Sequence, residues 1–95
     1  MPIALTDRPV GRAIAGQAAD EMLNIAGIEA SFVLFPEAGQ AYLSARSGSN
    51  VNVQVISEML GGGGNAAAAG GQVSGKTPEE VAQELKEAID QYFEK

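Results

Sequence analysis

Few side chains in this 95-residue chain could do chemistry, and their types narrow the options at once. Histidine and cysteine are both absent. That removes the commonest general base, the commonest transition-metal ligand, any thiol nucleophile and any disulfide. The aspartates, Asp7, Asp20 and Asp90, lie far apart, so no metal centre is expected from this chain alone. The cations are Arg8, Arg12, Arg46, Lys76, Lys86 and Lys95, and the net charge is −6. Non-specific grip on duplex nucleic acid needs a basic stripe that displaces counterions. None is visible, so no duplex partner is expected. A phosphate would have to be held locally, by one or two cations and backbone N–H groups. Arg46 is the sole cation between Arg12 and Lys76, and a guanidinium fork suits two phosphate oxygens at once.

The glycines offer three motifs of unequal value. Residues 70–77, GGQVSGKT, fit the phosphate-loop pattern G-x-x-x-x-G-K-[ST]. The alanine–glycine segment before it and the 18 residues after it leave no room for the remaining strands or for a metal-binding aspartate. A turn glycine followed by a helix cap is the better reading. The dinucleotide fingerprint G-x-G-x-x-G is rejected, because the dense glycine run follows a helix rather than a strand. Gly61, Gly62, Gly63 and Gly64 are different. One glycine explains a helix end, whereas four in a row exceed that need and cost conformational entropy. Without side chains, their amide N–H groups could approach a ligand oxygen as an anion site. A flexible linker is the plainer alternative, although it would usually carry serine or charge.

The elements that must position these groups read as an α/β domain in the order α-β-β-α-β-α, a single sheet packed by helices. Residues 1–8 have no clear period and read as a lead-in or junction; residues 9–95 form the domain. A first helix is predicted from Pro9 to Gly27, capped by Thr6 or Asp7, with Val10, Ile14, Ala18, Met22 and Ile25 as its apolar stripe. Residues 28–35, IEASFVLF, suit an interior strand, and residues 40–47, QAYLSARS, a second one after a turn. On that second strand Ala41, Leu43 and Ala45 share one face, and Tyr42, Ser44 and Arg46 the other. The polar face is where a ligand is expected.

A helix over 53–60 follows, with Asn52 as N-cap and Val51 stapling onto Ile56. The alanines of 65–73 suggest about one helical turn and then a short strand near 71–74. The last helix opens with Thr77-Pro78-Glu79-Glu80, a capping box, and carries Val81, Leu85, Ile89 and Tyr92 or Phe93 as its stripe. No apolar run is long enough to span a bilayer and no charged-then-apolar leader is seen. A cytoplasmic location is expected, which leaves room for a membrane anchor upstream in a longer protein.

Three spaced segments carry a family likeness. Ser44-Ala45-Arg46-Ser47, then Asn52-Val53-Gln54-Val55-Ile56, then residues 61–64 with Ala68-Ala69-Gly70 resemble the DHH-associated (DHHA) domain, whose pattern is S-x-R-S, N-V-x-x-I and G-G-G-H-x-x-A-A-G. Residues 18–35 and 51–56 are most similar to the branch found in cyclic-di-AMP phosphodiesterases. The resemblance implies a substrate-binding domain of a metal-dependent phosphodiesterase acting on a cyclic dinucleotide or short oligonucleotide. It implies that an upstream DHH domain binds the metal, manganese in that family, with no cofactor in this chain and no hydrolysis by it alone. Arg46 would contact a phosphate, Ser44 and Ser47 would assist, and Gly62, Gly63 and Gly64 would line the loop. Asn65 stands where the family has histidine. It can donate an amide hydrogen bond but cannot carry charge or shuttle a proton. A homodimer is compatible with the resemblance. The alternative reading is a non-catalytic RNA-binding or oligomerising module like the related domain of alanyl-tRNA synthetase, against which the acidic charge argues.

Overall fold

The computed structural model describes residues 1–25, 27–48 and 50–94. In chain order its elements are β1 (Ile3–Leu5), α1 (Arg12–Leu23), β2 (Ala30–Glu37), β3 (Gln40–Ser47), α2 (Val53–Glu58), β4 (Gly63–Gly64), β5 (Ala68–Ser74) and α3 (Pro78–Phe93). The five strands form one sheet in the order β1-β2-β3-β5-β4, with β1 parallel to β2 and the other pairs antiparallel. The α/β class and the helix-packed sheet agree with the sequence reading. The element order gains two strands, β1 and β4.

Alternation along β2 and β3 divides the interior into two. Phe32, Leu34, Ala41, Leu43 and Ala45 face one way and pack with Val53 and Ile56 of α2 and Val81, Leu85 and Ala88 of α3. Val33, Phe35 and Tyr42 face the other way, against Ala15 and Ala19 of α1. The sheet thus lies between α1 on one side and α2 with α3 on the other. The β2–β3 hairpin closes through Ala38 and Gly39, both at positive φ (53° and 77°), as a two-residue primed turn requires.

Several local expectations are met. Asn52 caps α2, its side chain accepting from the N–H groups of Gln54 and Val55. Val51 and Ile56 are buried in the same core. Thr77 and Glu80 form the capping box of α3 reciprocally. Val81 and Leu85 are fully buried and Ile89 and Tyr92 partly so, while Phe93 turns outward.

Others are corrected. Residues 1–8 are not a bare lead-in: Ile3, Ala4 and Leu5 pair with Phe32, Val33 and Leu34. The Thr6 N–H extends that ladder to the Leu34 carbonyl, so Thr6 does not cap α1. The helix starts at Arg12, with Gly11 as N-cap and no side-chain cap. Its buried face is Ala15, Gly16 and Ala19, while Ile14 and Ile25 are each 59% exposed. Small residues win this face because they let α1 sit close over β2 and β3. The alanines of 65–73 form no helical turn; Ala68 and Ala69 enter β5 directly.

Ser57, on α2, is fully buried and its hydroxyl has no hydrogen-bond partner among the described residues. A buried unpaired hydroxyl carries a desolvation penalty with nothing to offset it. Ser57→Ala is expected to raise stability by about 1 kcal/mol, read as a higher urea midpoint at unchanged slope.

Candidate functional site

The helix α1 covers β2 and β3 and stops there. Beyond it, β4 is Gly63 and Gly64 and the facing part of β5 includes Gly70 and Gly71, so few side chains fill the space. The result is a cleft of about 440 Å³ lined by Arg12, Ser44, Arg46, Gln72 and the backbone of 61–63 and 69–71, with Leu43 at its floor. Ser44 faces Gly70 and Tyr42 faces Gln72 across the β3–β5 register, which fixes what each strand contributes.

Arg46 reaches the cleft from β3 along the underside of α1. Its Nε lies 3.4 Å from Asp20 Oδ1 and its Nη1 donates to the Ala45 carbonyl at 2.8 Å. Its far end rests on Gly16, where a β-carbon would collide with Nη2. Glycine at 16 therefore makes the channel in which the guanidinium lies. Nε and Nη1 are thus used in holding it in place at the cleft wall.

The glycine run works differently from the expectation of an amide cradle. The Gly61 N–H donates to the Glu58 carbonyl and the Gly62 N–H to the Ser57 carbonyl, so both finish α2 rather than face a ligand. The distinctive role of these glycines is close approach. A β-carbon on Gly62 would strike the Gly70 carbonyl oxygen, and one on Gly71 would lie 2.8 Å from the Gly62 Cα. The close approach of Gly62, just before β4, to Gly70 and Gly71 of β5 is possible because none of the three carries a side chain.

Of the residues singled out from the sequence, Ser44, Arg46, Gly62 and Gly63 meet at the cleft. Gly64, Asn65 and Ser47 are not among its lining residues. Ser47 falls on the opposite face of β3 from Arg46, buried, with its hydroxyl donating to the Glu29 carbonyl at 3.3 Å. Gly64 pairs with Ala69 at the sheet edge. Asn65 shapes the turn into β5: its Oδ1 accepts from the Ala67 and Ala68 N–H groups at 3.0 and 2.9 Å. The sequence reading missed Arg12 and Gln72. A signal for Arg12 was present, since Arg12, Gly16 and Asp20 recur at i, i+4 and i+8 and share one helix face.

The phosphate-loop match dissolves in three dimensions. Gly70, Gly71, Gln72, Val73 and Ser74 are strand, Lys76 is ion-paired with Glu84, and Thr77 caps α3. Among the described residues no three carboxylates, histidines or cysteines come together to hold a metal. No helix among the described residues is long and apolar enough to cross a membrane.

Comparison with known proteins sharpens this picture. The chain is 48% identical over 82 residues to "Cyclic-di-AMP phosphodiesterase GdpP" of Geobacillus thermodenitrificans, which covers 85% of this chain and 12% of that protein. It is 44% identical over 88 residues to "Cyclic-di-AMP phosphodiesterase PdeA" of Listeria monocytogenes, covering 92% of this chain and 13% of that protein. The chain thus spans about an eighth of the length of these relatives. In fold it is similar to the C-Ala domain of Aquifex aeolicus alanyl-tRNA synthetase, with a TM-score of 0.71 at 19% identity over 90% of this chain and 88% of that one. The DHHA1 domain matches residues 4–95, from the first strand to the C-terminus. With a match over nearly the whole chain and cyclic-di-AMP phosphodiesterases as relatives, this α/β domain belongs to the DHHA1 family.

Proposed function

We propose that this domain grips a phosphate of a cyclic dinucleotide, cyclic di-AMP by preference, for a metal-dependent phosphodiesterase whose metal centre lies in a separate DHH domain. The observation that supports the reading is the convergence of Arg46 and Ser44 with the glycines of 61–63 and 70–71 on one cleft. The names of the two relatives support the choice of ligand. In this scheme Arg46 supplies charge and donors to the non-bridging oxygens. Ser44 adds a short hydroxyl beside it, and the bare backbone lets the ligand come close. The contribution to catalysis is positional: a phosphate fixed in orientation needs less ordering on the way to the transition state. Manganese held by the DHH domain would supply the activated water.

Calorimetry with cyclic di-AMP and its linear product tests this. Arg46→Ala is expected to weaken binding roughly ten- to hundredfold, the loss of charge-assisted hydrogen bonds. Binding equal to the parent would remove the assigned role. The likeness to the C-Ala domain is one of fold and brings no tRNA to this chain. A net charge of −6 also works against an RNA grip. Salt-dependent tRNA retention in a gel shift would reverse that judgement.

A further inference from the structure

The buried face of α1 contains one residue that packing against the sheet does not explain. Ala15 and Ala19 are fully buried with Val33 and Phe35 of β2, so a methyl group fits beneath the helix at both positions. Gly16 lies between them and is also buried. Its backbone is not in the left-handed region that would call for glycine. On propensity alone glycine is a poor choice here, since alanine loses less backbone freedom and stabilises a helix more. Something at this position excludes a single carbon atom.

The obstacle is Arg46. Among the described residues outside its own helix, a β-carbon at Gly16 would meet two atoms within 4 Å, both on that side chain: Nη2, far inside contact distance, and Cζ at 3.4 Å. No strand backbone and no core side chain stands in the way. Each nitrogen of the flat guanidinium is placed by a different neighbour. The Asp20 carboxylate lies 3.4 Å from Nε, the Ala45 carbonyl accepts from Nη1 at 2.8 Å, and Nη2 rests on the bare helix at Gly16. Gly16 and Asp20 are four residues apart on one face of α1, so a single helical turn sets both contacts. The two differ in weight. The Asp20 side chain is 62% exposed, and an ion pair open to solvent holds only weakly. Steric exclusion is not screened by water or salt.

We propose that Gly16 is a positioning residue for the phosphate grip, kept as glycine against helix propensity so that Arg46 can lie under α1 and reach the cleft, with Asp20 as a weaker second guide. This rests on the phosphate-binding reading above and adds that the aim of the arginine is set by the helix, not by the strand that carries it. Stability and binding are therefore opposed at this one position. An added methyl group displaces the end of a flexible side chain rather than backbone. The fold gains what alanine gives a helix, and the guanidinium is moved off its seat.

Urea unfolding and calorimetry with cyclic di-AMP, run on the same variants of the full chain, test this. Gly16→Ala is expected to unfold at an equal or higher urea midpoint with unchanged slope. Its binding of cyclic di-AMP is expected to fall about tenfold, the loss of one well-aimed charge-assisted hydrogen bond. Asp20→Ala is expected to weaken binding by no more than about fivefold, the worth of an exposed ion pair. A purely structural role would lower stability and binding together, so the opposite signs are the signature. The proposal is overturned if Gly16→Ala binds as the parent does, if its midpoint falls along with its binding, or if Asp20→Ala loses more binding than Gly16→Ala. Arg46→Ala keeps the two readings apart. If it weakens binding and Gly16→Ala does not, the phosphate reading stands and this one fails. If it has no effect, or the parent does not bind, the phosphate reading fails and the positioning role goes with it.

Discussion

Replacing Phe32 with alanine is expected to cost about 3–5 kcal/mol, the usual range for emptying a buried aromatic site. Phe32 is fully buried at the centre of β2, in the core shared with α2 and α3. Its strand is bracketed by β1 and β3, with Ile3 and Ala45 as register partners. Neighbours held in a ladder on both sides have little freedom to collapse into the space left behind. At roughly 4–8 °C per kcal/mol for a domain of this size, the Tm should fall by well over 10 °C. A loss below about 1 kcal/mol would mean that β2 is far more yielding than its packing implies. Because Phe32 faces away from the cleft, variant protein that stays folded at low temperature should still bind its ligand.

Gly70→Ala should be nearly as damaging, at about 3 kcal/mol, and should affect the site as well. A β-carbon at Gly70 would run into the Leu43 carbonyl oxygen, a backbone atom of the neighbouring strand that cannot swing aside. The strands would have to separate where β3, β5 and β4 come together under the cleft, so stability and phosphate binding are expected to fall together. Gly63→Ala is the matched control. A β-carbon there meets nothing within 4 Å, and the change should stay within about 0.5 kcal/mol. Urea unfolding of the two variants beside the parent measures both. Equal stability for Gly63→Ala and Gly70→Ala would show that close backbone approach is not what these glycines provide.

How much of this was legible beforehand depended on where the physics is local. The capping box at Thr77 and the N-cap at Asn52 were readable, because each bonds within three residues of itself. The two faces of β3 were readable, because alternation along QAYLSARS is strict. That alternation put Ser44 and Arg46 on one face, as the structure has them, whereas Ser47, expected beside them from the resemblance, lies on the opposite face. What escaped were features set by tertiary partners. The strand β1 is three residues long and exists through pairing with β2, so it left no period of its own. The helix α1 buries alanine and glycine because Arg46 and the sheet must fit beneath it, a demand that apolar periodicity does not record. The glycine run looked like a donor array. Knowing that two of its amides complete α2 required the path of the chain after Met59.

The small strand β1 has a consequence for how the protein behaves in a crowded solution. The Phe32 N–H bonds to the Pro2 carbonyl and the Leu34 carbonyl accepts from Thr6, so the opening residues occupy one flank of β2. That flank belongs to the apolar run ASFVLF, the kind of exposed border on which other chains can template themselves into polymers. At the opposite border, β4 is two glycines long and pairs with Ala69 and Gly70 of β5. Residues 3–5 therefore act as a guard strip, and removing them would lay that flank open to strand addition by a neighbouring chain.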